Sequence, residues 1–175
     1  MTKTIKLIVL DVDGVLTDGK LYIGSNGVEY KPFHTKDGMG ISLAHYTGIK
    51  TVIITGRKSE AVTKRAKELK ISYVFQGIHD KLPVLEGMMK ELEINFDEVC
   101  YMGDDINDLP IMRKVGYAVA PNNAVRIVKE LAHSVTSLPG GEGAVREMID
   151  DLLVKEYNYS SLIRDYLEGK VVTVQ

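Results

Sequence analysis

Two aspartates, Asp11 and Asp13, follow directly on the apolar run Leu7-Ile8-Val9-Leu10, and Gly14 comes next. Glycine lets the backbone turn sharply, so both carboxylates can face one pocket. Such a pair divides the labour of phosphoryl transfer. Asp11 attacks phosphorus and carries a covalent phosphoryl group, while Asp13 protonates the leaving alcohol and later deprotonates the attacking water. Two anions that meet an anionic phosphate need a cation, and an all-oxygen site suits Mg²⁺, which keeps several waters and bridges carboxylate to phosphate. Taken alone, these residues have a plainer reading as an Asp-rich loop that caps a strand.

Three further clusters tell against the plainer reading. Thr55-Gly56-Arg57, Lys81 and Gly103-Asp104-Asp105-Ile106-Asn107-Asp108 each fall where a strand signal gives way to a helical one. Singly, Thr55 can satisfy a turn, Lys81 can be solvated on a helix, and the acidic cluster can cap the helix after it. Together they set a nucleophile, a hydroxyl donor, a cation and a second acidic patch at one rim of one sheet. Thr55 and the backbone N–H groups that follow, Gly56 included, can hydrogen-bond phosphoryl oxygens, and Lys81 can neutralise their charge and hold Asp11 ionised. Asp104 completes a metal shell with Asp11 and the backbone carbonyl of Asp13, and either Asp105 or Asp108 holds metal-bound waters behind it. Such a site works by positioning and charge stabilisation, which is what phosphoryl transfer requires.

These clusters need strands that end at one edge. The sequence supplies apolar strand signals at 5–10, 51–54, 71–75, 99–102 and 117–120, and a short edge strand at Ser134–Val135. Helical patterns over 37–46, 59–69, 81–92, 124–131 and 143–154 alternate with them, and Ser59 suits an N-cap. The alternation predicts an α/β fold, a doubly wound parallel sheet that binds its ligand at the carboxyl ends of the strands. One insertion breaks the rhythm. Lys20–Ile23 and Val28–Lys31 flank Gly24-Ser25-Asn26-Gly27, a hairpin signal, in a connection that usually takes about 2–6 residues. Leu21, Tyr22, Ile23, Val28 and Tyr30 are too apolar to be left wet, and a two-stranded hairpin alone is marginal. The hairpin is therefore expected to serve as a lid or an oligomer contact, buried against copies from other subunits. The tail over 155–175 carries Tyr157, Tyr159, Leu162, Ile163, Tyr166 and Leu167, then Val171-Val172-Thr173-Val174. An extra helix and short strand packed on a neighbour, or an arm reaching an active site, both suit it.

Composition narrows the partners. With 175 residues, no visible linker and no repeat, the chain is expected to form one domain over 1–175. A net charge of −2 without a basic stretch leaves no footprint for nucleic acid. Cys100 is the only cysteine and lies in an apolar run, so an internal disulfide is excluded and a reducing cytoplasm is expected. No signal peptide is recognisable, and no apolar stretch approaches the roughly 20 residues that cross a bilayer. His34, near the hairpin, is placed to touch substrate, whereas His45, His79 and His133 lack metal-ligand spacing.

The set Asp11-Val12-Asp13-Gly14-Val15-Leu16-Thr17-Asp18-Gly19, Thr55-Gly56-Arg57, Lys81 and Gly103–Asp108 resembles the four motifs of the haloacid dehalogenase superfamily of phosphohydrolases. Within that superfamily, the hairpin, Phe33-His34-Thr35-Lys36-Asp37-Gly38, Thr55-Gly56-Arg57 and Gly140-Gly141-Glu142-Gly143-Ala144-Val145-Arg146-Glu147 resemble the capless family that hydrolyses 3-deoxy-D-manno-octulosonate 8-phosphate in lipopolysaccharide sugar synthesis. The resemblance implies a Mg²⁺-dependent homotetramer without a cap domain, in which hairpins form a central barrel and one subunit lids the active site of its neighbour. It also implies that Arg57 and Arg65, about two helical turns further along, bind the carboxylate of the sugar acid, a contact that a guanidinium makes bidentately. Arg65 as one solvated cation of Lys64-Arg65-Ala66-Lys67 is the alternative. Phosphatases of nine-carbon sugar-acid phosphates resemble the chain in the same four motifs, but some of them place Glu where this chain has Arg57, which favours the eight-carbon substrate. A phosphotransferase or mutase using the same site, and a non-catalytic assembly subunit retaining the fold, are the remaining readings.

Overall fold

The computed structural model describes residues 4–169. At its centre lies β1 (Leu7–Leu10), four residues buried on both sides. Leu7 and Val9 enter one core and Ile8 and Leu10 the other, as the two-residue period of a strand requires. A strand covered on both faces has no polar side, which is why this run reads as continuous Leu, Ile and Val.

The chain continues through a hairpin of β2 (Tyr22–Ile23) and β3 (Glu29–Tyr30), then α1 (Thr35–Tyr46), β4 (Lys50–Thr55), α2 (Glu60–Glu68), β5 (Tyr73–Gln76) and α3 (Lys81–Leu92). It ends with β6 (Val99–Met102), the short α4 (Leu109–Met112), β7 (Tyr117–Ala120), α5 (Arg126–Leu131), β8 (Ser134–Val135), α6 (Ala144–Glu156) and α7 (Tyr159–Leu167). Six strands make one sheet in the order β5-β4-β1-β6-β7-β8, with every pair parallel. The chain winds outward from β1 through β4 to β5, then crosses to β6 on the other side of β1. Helices α1, α2, α6 and α7 pack on one face and α3, α4 and α5 on the other. This is the expected doubly wound α/β sheet. No segment large enough for a cap domain interrupts it among the described residues.

The winding reverses between β1 and β6, and the crevice at such a reversal is where α/β sheets take their ligands. Register brings Leu10 beside both Ile53 and Met102, so the residues after each strand leave the sheet at one rim.

Several boundaries differ from the sequence expectation for local reasons. The strand expected at 71–75 begins at Tyr73, because Ile71 is used to close α2: its N–H donates to Ala66 O at 2.9 Å, after Lys70 turns left-handed at φ 56. The helix expected from 124 begins at Arg126, since the Ala124 N–H closes a turn on Pro121 O at 2.9 Å and the Val125 N–H reaches Asp104 O at 2.9 Å. Ser59 occupies the N-cap position of α2 without a side-chain cap bond, and its N–H donates to Gln76 Oε1 at 2.7 Å. In the tail, α7 buries Leu162 and sets Tyr166 edge-on against Tyr46, with ring centroids 5.2 Å apart, so this helix covers its own chain. The strand signal Val171–Val174 lies outside the described residues.

The hairpin stands where expected, closed by Gly24 N–H to Val28 O at 2.8 Å and Gly27 N–H to Gly24 O at 2.9 Å. Leu21, Tyr22, Ile23, Val28 and Tyr30 are all exposed. Helix α1 is tied to α6 by the Arg146 N–H, which donates to Asp37 Oδ1 at 2.9 Å. The other oxygen of this buried carboxylate, Oδ2, has no partner.

Candidate active site

Asp11 continues β1: its N–H donates to Met102 O at 3.2 Å, and its Oδ1 accepts the Val12 N–H at 2.7 Å. The N–H groups of Val15, Leu16 and Thr17 then converge on Val12 O at 3.1, 2.9 and 3.1 Å, which folds the loop back on itself. Gly14 takes the left-handed φ of 82°, and a Cβ there would stand 2.0 Å from Asp104 Oδ2. Both the turn and the approach of the second acidic loop therefore require glycine. A Gly-rich segment from the far end of the chain braces this turn. The Gly140 N–H donates to Asn123 Oδ1 at 2.7 Å, Asn123 Nδ2 donates to Gly14 O at 3.4 Å, and the Gly141 N–H donates to Val15 O at 3.2 Å.

Lys81, the first residue of α3, sends its ammonium under this loop, 2.7 Å from Asp11 Oδ2 and 2.7 Å from Asp108 Oδ1. Asp108 is fully enclosed. Its Oδ1 also accepts the Tyr101 hydroxyl at 2.5 Å, and its Oδ2 accepts the N–H groups of Asp104 at 2.9 Å and Asp105 at 3.3 Å. The Asp105 carboxylate is turned to the Ile106 N–H at 2.7 Å. Asp11, Asp104 and Asp108 each bring a carboxylate oxygen within 4.8 Å of the others.

Crowding shows in the acidities. Burial pushes Asp11 up to about 6 against the pull of Lys81, with the Asp108 carboxylate adding to the rise. Burial and then the Asp11, Asp108 and Asp105 carboxylates push Asp104 up to about 8. Burial alone would depress Lys81, but Asp11 and Asp108 outweigh it and raise the ammonium above its ordinary value. One ammonium among three carboxylates leaves a surplus of negative charge, all of it on hard oxygen donors. That donor set fits Mg²⁺; the oxygens of Asp108 are already taken by Lys81, Tyr101 and two backbone N–H groups, which leaves Asp11 and Asp104 as the carboxylates able to hold it.

Above this floor opens a cleft of about 240 Å³ lined by Asp11, Asp13, Gly19, Thr55, Gly56, Arg57, Asp104, Asp105 and Asn107. Asp13 lies at its side, ion-paired with Lys31 and 3.9 Å from Arg57 Nε.

Residues 74–149 match the model of the haloacid dehalogenase-like hydrolase family. Over 154 residues, 88% of this chain and 82% of the relative, the chain is 44% identical to the 3-deoxy-D-manno-octulosonate 8-phosphate phosphatase of Escherichia coli K12. The chain belongs to this phosphatase family. Among solved structures, a probable YrbI-family phosphatase of Pseudomonas syringae superposes with a TM-score of 0.91 at 48% identity, covering 96% of each chain. The 3-deoxy-D-manno-octulosonate 8-phosphate phosphatase of Moraxella catarrhalis, solved with a magnesium ion, a phosphate ion and a KDO molecule, superposes with a TM-score of 0.89 at 40% identity over 93% of each chain.

Within this member of the phosphatase family, Asp11, Asp13, Thr55, Gly56, Arg57, Asp104 and Asp105 line the one cleft, with Lys81 and Asp108 beneath it. Arg65 does not line it. Its Nη2 donates to His34 O at 3.4 Å, and its guanidinium stands 6.0 Å from the Phe33 ring centroid. His34 caps α1, its Nδ1 accepting the Lys36 N–H at 3.2 Å. Four residues of this neighbourhood escaped the sequence reading: Glu29, Lys31, Tyr101 and Asn123. A tyrosine inside the buried run Val99–Met102 needs a partner for its hydroxyl, and that need was the available signal for Tyr101. For Glu29 and Lys31 the strand is only two residues long, too short for alternation to show which side faces inward.

Proposed function

We propose that the chain is a Mg²⁺-dependent phosphatase that hydrolyses 3-deoxy-D-manno-octulosonate 8-phosphate to the free sugar acid and phosphate, supplying lipopolysaccharide precursor synthesis. The observation that carries this reading is the Lys81 ammonium, 2.7 Å from both Asp11 and Asp108, beneath a cleft in which Asp104 adds a third carboxylate.

Asp11 is the nucleophile. It attacks phosphorus, the bond to the sugar oxygen breaks, and an aspartyl-phosphate forms. Asp13 gives the departing oxygen its proton, then takes a proton from the water that attacks phosphorus and frees Asp11. Thr55 and the N–H groups around Gly56 hold phosphoryl oxygens, and Lys81 fixes the Asp11 carboxylate while offsetting charge. Bound Mg²⁺, held by Asp11, the Asp13 carbonyl and Asp104, would neutralise phosphoryl charge during transfer. Asp108 positions the site through Lys81, Tyr101 and the Asp104 N–H. Arg57 is the carboxylate reader at the mouth, a role its half-exposed guanidinium suits.

The same reading makes the enzyme a cytoplasmic homotetramer built from one catalytic domain. The exposed apolar hairpin favours assembly and the single buried thiol of Cys100 favours a reducing compartment. Phosphate release is the test, measured with and without Mg²⁺ on eight-carbon and nine-carbon sugar-acid phosphates, hexose phosphates and a nucleotide. Mg²⁺-dependent preference for the eight-carbon compound is expected. Equal turnover across the panel would remove the substrate assignment, and turnover without Mg²⁺ would remove the metal.

A further inference from the structure

The return strand of the hairpin shows different chemistry on its two faces. Tyr30 is 62% exposed, whereas the flanking side chains of Glu29 and Lys31 keep only 16% and 2% of their exposure. Both turn toward the mouth of the cleft. Lys31 is ion-paired with Asp13 and lies 3.2 Å from Glu29 Oε1. Arg57 Nη2 donates to that same Glu29 oxygen at 3.1 Å. Two cations, Lys31 and Arg57, therefore share one cluster with the carboxyl groups of Asp13 and Glu29. Burial alone would raise Glu29, but Lys31 and Arg57 outweigh it and hold it below its ordinary value, as a carboxylate.

Phosphoryl transfer at Asp11 has no use for this carboxylate. Its partner explains it better. Arg57 reads the carboxylate of the substrate in the function proposed above; Glu29 takes its Nη2, Asp13 lies 3.9 Å from its Nε, and about half of the side chain stays exposed. A guanidinium binds carboxylates bidentately, so a substrate carboxylate can take Arg57 over completely. When it does, Glu29 is not stranded, because Lys31 remains 3.2 Å from the same oxygen. The exchange swaps one carboxylate for another and leaves every charge paired.

We propose that Glu29 is an internal stand-in for the substrate carboxylate: it holds Arg57 at the mouth of the free enzyme, yields it to the incoming sugar acid, and recaptures it to expel the product. Hydrolysis removes the phosphate and leaves the carboxylate on the product, so a competitor for Arg57 acts on release as well as on binding, and release often limits turnover. The proposal rests on Arg57 as the carboxylate reader.

The test uses the full chain, wild type and Glu29→Gln, with p-nitrophenyl phosphate as a reporter substrate that carries no carboxylate. Free 3-deoxy-D-manno-octulosonate is the inhibitor. Exchanging a charged competitor for a neutral one is expected to tighten this inhibition about ten-fold, with KM for the reporter little changed. In an Arg57→Ala background, Glu29→Gln is expected to change nothing further. Inhibition that is unchanged or weaker in Glu29→Gln, or equally tightened without Arg57, would overturn the proposal. If Glu29→Gln loses reporter turnover, calorimetric Kd values for the free sugar acid on the folded proteins make the same comparison. Failure of the wild type to hydrolyse the sugar-acid phosphate would strike the substrate assignment alone, since the reporter and the inhibitor still judge Glu29.

Discussion

At the floor of the cleft, the side chains of Asp11, Lys81 and Asp108 are 8%, 1% and 0% exposed, and each hangs from a strand end or the first turns of a helix. At its mouth, Asp13 and Arg57 are 23% and 48% exposed and are gripped by a hairpin whose paired strands are only two residues long. The floor is over-determined: Asp108 alone receives an ammonium, a hydroxyl and two backbone N–H groups. The mouth rests on one cluster of ion pairs. Groups that meet phosphorus itself must hold still in a dry place, whereas groups at the mouth must let substrate in and product out.

Substitutions at the two levels should separate these demands. The largest effect belongs to Asp11→Asn, which removes the proposed nucleophile: phosphate release is expected to fall by at least about 10³-fold, with far-UV circular dichroism unchanged. Retention of near wild-type turnover would dissolve the distinction between floor and mouth. Lys81→Met leaves Asp11 and Asp108 without their common cation, and loss of one buried partner costs about 3–5 kcal/mol. Urea unfolding should register that loss, and a change below 1 kcal/mol would mean that the floor is less dry than its geometry indicates.

Asp37, which does not line the cleft, supplies a control. Burial pushes it up to about 6 from an ordinary 3.8. The folded chain thus binds this proton more tightly than the unfolded one, so stability is highest below 3.8, falls as pH rises toward 6, and stays lower above it. The loss is up to roughly 3 kcal/mol. Asp37→Asn, which keeps an acceptor for the Arg146 N–H, is expected to raise Tm at pH 8 and to converge on the wild type near pH 4. A Tm difference independent of pH would refute this. The smallest effect on the chain itself is expected from Tyr30→Arg on the outer face of the hairpin, within about 0.5 kcal/mol, whereas sedimentation should show smaller assemblies. Unaltered assembly would detach the hairpin's outer face from oligomer formation.

How much of this was legible in the sequence follows the same division. The floor was readable because its residues sit at strand ends, and strands buried on both sides announce themselves as unbroken apolar runs. The helix that begins at Lys81 and the strand Val99–Met102 came out with the bounds the structure gives. The mouth was hidden because a two-residue strand has too little periodicity to reveal which side faces inward. Glu29 and Lys31 therefore read only as members of the hairpin segment Val28–Lys31. Asp105 and Asp108 could not be told apart along the chain; only the short turn at Ile106–Asp108 shows that Asp108 folds under the loop while Asp105 faces Ile106. Arg65 read as a neighbour of Arg57, but Arg57 precedes the helix that carries Arg65, and the helix aims Arg65 at His34 and Phe33.

The brace formed by Gly140 and Gly141 has a consequence for how the molecule is made. A Cβ on Gly140 would stand 1.8 Å from Gly14 O, so the two loops touch backbone to backbone. A chain growing from its N-terminus makes the loop of Asp11 and Asp13 before the glycines that brace it, which follow on the order of ten seconds later at ordinary rates of synthesis. Until Gly140 and Gly141 arrive, that loop lacks their backbone contacts at Gly14 and Val15, so it is expected to set only after all six strands of the sheet have been made.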